Sequence, residues 1–175
     1  TSLYNGNITG AIWQTVQPTG STTPVTTGQK AYAYSYDKLN RLKQASYKEK
    51  SQSTWLNNGK YNEAIGEYDL NGNIKRLMRS GLARPNNNPG VIDNLTYYYD
   101  GNRLKAVDDA ITFDNIGDFY DNGQYYRLTH TDEYLYDWNG NLAKDVNKGI
   151  INISYNYLNL PEKIDKEGGT RLEYL

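Results

Sequence analysis

The chain has 175 residues, 19 Lys and Arg against 20 Asp and Glu, one histidine and no cysteine. A net charge of -1 supplies no global field for nucleic acid or an anionic membrane, and the lack of cysteine excludes disulfides, cysteine nucleophiles and thiolate metal sites. The 18 Tyr against 2 Phe suit a sheet with one half-wet face better than a dry core, because a buried phenol needs a partner for its hydroxyl.

In chain order, Leu3-Tyr-Asn-Gly-Asn-Ile8 reads as a short strand end, a polar turn and a strand start, continuing to Trp13. Residues 17–30 are a loop by composition. Ala31-Tyr-Ala-Tyr-Ser-Tyr36 alternates strictly and places Tyr32, Tyr34 and Tyr36 on one face of a strand. Asp37-Lys-Leu-Asn-Arg41 turns the chain and Leu42 begins the return. The polar span 48–62 predicts a strand-loop-strand excursion around Trp55.

Next comes the clearest stretch, Tyr68-Asp69-Leu-Asn-Gly72-Asn-Ile74, which returns almost unchanged as Tyr136-Asp137-Trp-Asn-Gly140-Asn-Leu142. Asn-Gly is a strong hairpin signal because both residues accept positive φ, and an Asp side chain can bond the backbone two residues on. Residues 80–94, with Arg84-Pro85-Asn-Asn-Asn-Pro89-Gly90, read as a loop. Tyr99-Asp100-Gly101-Asn-Arg-Leu104 is a hairpin one residue shorter in the turn, and Phe113-Asp114-Asn-Ile-Gly117-Asp-Phe119 is a variant with Phe in the Tyr place. Ile150 to Tyr157 alternates again before a degenerate copy, Tyr157 to Ile164, and Arg171 opens another strand. With Thr1 in place of an initiator Met, the sequence reads as a piece of a longer chain.

The first and second hydrophobes across the turn stay 6 residues apart in Tyr36–Leu42, Tyr68–Ile74, Phe113–Phe119 and Tyr136–Leu142, while the connections vary in length. That is one supersecondary unit repeated with insertions confined to loops. No amphipathic helix of useful length competes. The expectation is an all-β chain: antiparallel hairpins forming a continuous twisted strip, in one repeat region spanning 1–175 with units near 3–8, 36–42, 68–74, 99–104, 113–119, 136–142 and 157–164.

The repeated Tyr-Asp-x-x-Gly-x-Leu pattern resembles the YD repeats of the RHS (rearrangement hotspot) family. The Leu39-Asn-Arg-Leu42 and Ile150-Ile-Asn-Ile-Ser-Tyr-Asn-Tyr-Leu-Asn-Leu-Pro161 stretches look like the Bacteroidetes-type variant. The resemblance covers roughly residues 31–175 and implies a β-strip wound into a hollow shell. In bacterial members that shell encloses a C-terminal toxin or effector; in animal teneurins it is an extracellular adhesion scaffold. It therefore implies a non-catalytic structural scaffold, secreted or on the cell surface. Its partners would be further repeats of the same parent protein, neighbouring copies joined through strand edges, or an enclosed effector. No Asp-Pro occurs in the chain, so the autocleaving segment of the family is not carried over.

His130, beside Asp132 and Glu133, is the sole histidine and lacks a recognisable catalytic constellation. The Asp69-x-Asn71-x-Asn73 spacing is shared with calcium loops, but the distal position is Ser80, and the turn accounts for these residues without an ion. Lys75, Arg76 and Arg79 make a local basic patch on a near-neutral chain. Neither metal nor cofactor is expected, nor nucleic acid, nor membrane insertion. The alternative function is an extracellular carbohydrate-binding or adhesion module, with Tyr97, Tyr99, Tyr134, Tyr136, Trp13, Trp55 and Trp138 stacking on sugar rings. Against it, the tyrosines recur at one motif position, which cross-strand packing requires and a single sugar site does not.

Overall fold

The computed structural model describes residues 5–17, 25–83, 86, 88–111, 117–122 and 126–174. The chain is all-β. Its strands are β1 (Gly10–Trp13), β2 (Val16–Gln17), β3 (Val25–Thr26), β4 (Lys30–Tyr36), β5 (Leu42–Ser51), β6 (Thr54–Leu56), β7 (Glu63–Tyr68), β8 (Ile74–Ala83), β9 (Asn88–Asp100) and β10 (Arg103–Asp109). After one helical turn, α1 (Tyr126–Thr129), come β11 (Tyr134–Tyr136), β12 (Leu142–Asp145), β13 (Ile150–Tyr155), β14 (Pro161–Lys166) and β15 (Arg171–Glu173).

An eight-stranded antiparallel sheet runs β1-β4-β5-β7-β8-β9-β10 with β6 added on β5. A five-stranded sheet runs β11-β12-β13-β14-β15, and β2 pairs β3 alone. Within each sheet most sequence neighbours pair, as hairpins require, but the expected continuous strip is interrupted: β10 and β11 belong to different sheets, and β2-β3 stand apart.

The chain divides into two compact units: residues 1–68, 76–94 and 111–118 in the first, and 69–75, 95–110 and 119–175 in the second. The first buries Ala31, Ala45, Tyr47 and Ile92; the second buries Leu95, Ala106 and Val107. These apolar sets are small, and carboxylates share the interior with them: Asp93 in the first unit, Asp108, Asp109, Glu133 and Asp145 in the second.

Two loop expectations are corrected. Residues 80–94 are mostly strand: β8 runs to Ala83 and β9 starts at Asn88. Burial explains this, since Gly81 lets Ile92 close against it (a Cβ on Gly81 would stand 2.6 Å from Ile92 Cδ1) and Arg79 pairs with the fully buried Asp93 at 2.7 Å. Those contacts outweigh the Asn-Pro-Gly composition. The expected loop 17–30 contains Val25–Thr26, which pairs back onto Val16–Gln17.

The hairpin tips follow one plan. In the turns at Asp37, Asp69 and Asp137 the Asp N–H donates to the carbonyl four residues on, at 2.9 Å. The residue three on donates back to the Asp carbonyl at 3.1 Å. That residue alone is left-handed: Asn40 (φ 61), Gly72 (φ 90) and Gly140 (φ 87). Asn71 and Asn139 do not share the positive φ expected of both Asn-Gly residues. The tip is therefore a right-handed turn closed by one left-handed residue, with the bulge that such loops carry. Register confirms the bulge, with Tyr36 opposite Leu42 but Ser35 opposite Gln44, and Tyr136 opposite Leu142 but Leu135 opposite Lys144. The shorter copy differs, with Gly101 (φ 60) and Asn102 bridging paired Asp100 and Arg103.

A side chain at Gly72 meets nothing within 4 Å, so its replacement is limited by backbone conformation alone. Gly72→Val is expected to lose about 1–3 kcal/mol in urea unfolding. Gly72→Asn, matching Asn40 at the equivalent position (φ 61), should stay nearer the parent. Equal losses in the two variants would refute the turn assignment.

Candidate functional site

One bond recurs at every clear repeat. The Tyr36 hydroxyl donates to the Ile8 carbonyl, Tyr68 to Leu42, Tyr99 to Ile74, Tyr136 to Leu104 and Tyr155 to Leu142, at 2.5 to 3.0 Å. The acceptor is the first residue after the preceding turn, except that Leu104 follows Arg103 in the shorter copy. The first two bonds lie in the first unit and the other three in the second. A hairpin's aromatic thus reaches past its own partner to the hairpin before it.

The tips are tied in the opposite sense by asparagines, the earlier turn donating to the later one. Asn5 Nδ2 donates to Asn40 Oδ1 (2.6 Å), Asn73 Nδ2 to Asn102 Oδ1 (3.0 Å), and Asn141 Nδ2 to Asn159 Oδ1 (3.1 Å). The carboxylates of Asp37, Asp69 and Asp137 are engaged within their turns. Asp69 accepts from the Asn73 backbone N–H (2.8 Å) and from Asn73 Nδ2 (2.8 Å), and Asp137 does the same with Asn141 (2.8 and 2.9 Å). In the first unit Arg41 takes this place, donating from Nε to Asp37 Oδ2 at 2.7 Å while its guanidinium lies 4.3 Å from the Tyr68 ring centroid. Hydrogen bonds from Asn73 and Asn141 hold the Asp69 and Asp137 carboxyls below the ordinary range; the Arg41 backbone N–H does so first for Asp37. An Asp whose oxygens are committed in this way has little left for a calcium ion. Among the described residues no group of three or more His, Cys, Asp or Glu is arranged to hold a metal.

The last repeat is shifted from the expected pair. Tyr157 is 92 % exposed in the turn, and Ile164 pairs with Ile153 further down the strand. Tyr155 occupies the aromatic place opposite Pro161, and Asn156 takes the Asp role, accepting from the Leu158 and Leu160 N–H groups at 2.9 and 3.1 Å. The separation of 155 and 161 is again 6, so the spacing signal was present and the substitution of Asn for Asp hid it. Phe113 and Asp114 lie outside the described residues; Gly117 is left-handed (φ 80), and residues 117–122 form no strand.

The other sequence candidates are dispersed. Tyr32, Tyr34, Tyr47, Tyr61 and Trp13 form a ring cluster in the first unit, with Trp13 stacked on Tyr32 at 5.6 Å and Tyr47 edge-on to Tyr61 at 5.2 Å. Tyr97 stacks on Tyr99 at 6.5 Å in the second. Trp55 lies 6.0 Å from Lys50 Nζ, and Trp138 is fully exposed at a tip. His130 is exposed and edge-on to Tyr126 at 5.7 Å. Arg79 is paired with Asp93 and Arg76 with Glu67, so the basic patch is largely neutralised.

The adjacent carboxylates Asp108-Asp109 and Asp132-Glu133 are visible in the sequence, but nothing in it shows that Asp108, Asp109 and Glu133 are buried in the second unit. Glu133 Oε2 accepts from the Val107 N–H (3.0 Å) and Asn147 Nδ2 (2.7 Å). Asp108 accepts from the Tyr126 N–H and the Tyr98 hydroxyl, and Asp121 from the Asp109 N–H. Burial is the main cause that pushes the Glu133 carboxyl up, with Asp121 and Asp108 adding to it. Burial also raises the Tyr134 phenol to about 12.

Two measurements check this assignment. Tyr136→Phe should cost about 1 kcal/mol by leaving the Leu104 carbonyl without its donor, whereas Tyr157→Phe should stay within about 0.5 kcal/mol. A reversed order in urea titrations would refute the relay. For pH, the depressed Asp69 and Asp137 values mean that their stabilisation is complete above the unfolded-chain value of about 3.9 and is lost as pH falls through the folded values. Asp137→Asn, which copies Asn156, should therefore flatten the loss of stability between neutral and strongly acid solution; an unchanged acid slope would contradict it. No protein-family model matches this chain, and no curated protein or solved structure matches it.

Proposed function

We propose that this chain is a non-catalytic structural scaffold: a section of the wall of an RHS-type, YD-repeat β-shell in a secreted or surface bacterial protein that encloses or presents a C-terminal effector. The observation that carries the reading is the hydroxyl-to-carbonyl bond repeated from Tyr36 to Tyr155. Such a bond makes each hairpin complete the one before it, so units add indefinitely without a new kind of interface. The polar groups of the motif are spent on one another, which is the economy of a wall.

Its partners are further repeats of the same kind or neighbouring copies, joined through strand edges. β1 and β15 stand at the ends of their sheets, and every residue of both is exposed. Backbone groups at such an edge invite another strand. Sedimentation velocity across a concentration series should show association that grows with concentration. Leu172→Lys, placing a charge on the β15 edge, should weaken it. A parent that stays monomeric at its highest soluble concentration would count against the wall.

A further inference from the structure

The first unit holds a cavity of about 270 Å³ lined by Tyr32, Tyr61, Glu63, Arg79, Ser80 and Ile92. None of these takes part in the repeat bonds. Two features mark the place. Tyr61 is a bulky residue in the left-handed region (φ 49), held there by the Tyr32 hydroxyl, which donates to its carbonyl at 2.8 Å, and by the edge of Tyr47. Strain of this kind persists only where the surroundings over-determine it, and it clusters at ligand sites. Arg79 is clamped in the wall: its Nε stands 2.7 Å from Oδ2 of the fully buried Asp93, and Nη2 donates to the Gly117 carbonyl at 3.3 Å, with 30 % of the side chain still exposed.

We propose that this cavity binds a single neutral sugar ring, its C–H face against the tyrosines and its hydroxyls shared between Glu63 and Arg79. Charge and size narrow the choice. Asp93 balances Arg79, and Glu63 adds a further negative charge, so phosphate, sulfate and carboxylate ligands meet no net positive field. An ammonium ligand would face the guanidinium. The volume falls below the roughly 300–1,000 Å³ of drug-sized pockets, leaving room for one ring and not for an extended peptide. A carboxylate that only accepts and a guanidinium that only donates are complementary to vicinal hydroxyls, which do both.

The test is an NMR titration of the intact chain with glucose, galactose and N-acetylglucosamine in separate series. Expected are amide shifts at residues 32, 61–63, 79–81 and 92 that saturate in the millimolar range for at least one sugar. Glu63→Gln, a change on an exposed strand position, should weaken binding by about tenfold or more. Tyr61→Asn, which tolerates the positive φ, should do likewise. No saturable shift with any of the three sugars, shifts centred on Trp13 or Trp138, or unchanged affinity in Glu63→Gln would each overturn the site. Melting curves of both variants identify a fold defect, and Glu63→Gln carries the test if Tyr61→Asn unfolds. The edge association of the scaffold reading does not involve this cavity, so either proposal fails without the other.

Discussion

A phenol that donates to the carbonyl of the preceding hairpin is the constraint on which the rest of this structure depends. The return strands β5, β10, β12 and β14 each carry one extra residue near their start: Lys43, Lys105, Ala143 and Glu162. A bulge interrupts the ladder and increases the local twist. The carbonyl just before it belongs to Leu42, Leu104 and Leu142, and each receives a tyrosine hydroxyl from the next repeat. The distortion that ends one hairpin is thus the docking point of the following one, and register passes along the strand order through a side chain as well as through the backbone.

The relay draws on five of the 18 Tyr, at places where Phe would fill the same volume but carry no donor. It also sorts the turn residues by how far they can be exchanged. Asp and Asn both accept the two backbone N–H groups of the tip, as Asp37, Asp137 and Asn156 do. Gly and Asn both enter the left-handed region, as Gly72, Gly140, Asn40 and Asn159 do. The aromatic has no such substitute among the five relay positions.

That asymmetry governs what could be read from sequence. The turns at 36–42, 68–74 and 136–142 were legible because invariable local chemistry, an Asp acceptor and a left-handed residue at fixed offsets, leaves a visible trace. The turn at 155–161 was displaced by two residues, since Tyr157 also follows an alternating run and Asn156 is silent to a search for Asp. The strand character of 88–94 was invisible for a different reason. Pro89 and Gly90 speak for a loop locally, and only the pairing of Ile92 with Gly81 and of Asp93 with Arg79, contacts distant in sequence, overrides them. The same holds for the cavity beside Tyr61, whose walls come from β4, β7, β8 and β9 and share no spacing.

The interior poses a harder problem than the tips, because repeats of half-wet tyrosines bury little apolar surface. Where the connection between repeats is longest, from Asp109 to Tyr134, the interior is closed with carboxylates. Burying an ion without partners costs far more than this small core returns, so each acid arrives with its donors. Glu133 takes a strand N–H and an amide, Asp108 takes the N–H at the start of α1 and a phenol, and Asp145 takes the Lys148 N–H with the ammonium 3.3 Å away. Tethering a long connection by directed hydrogen bonds, at positions that no hydrophobic period can specify, lets the strip resume at Tyr134 in register with Asp145. Variable connectors and an unvarying tip are then two halves of one arrangement: the tip propagates the sheet, and buried acids return the chain to it.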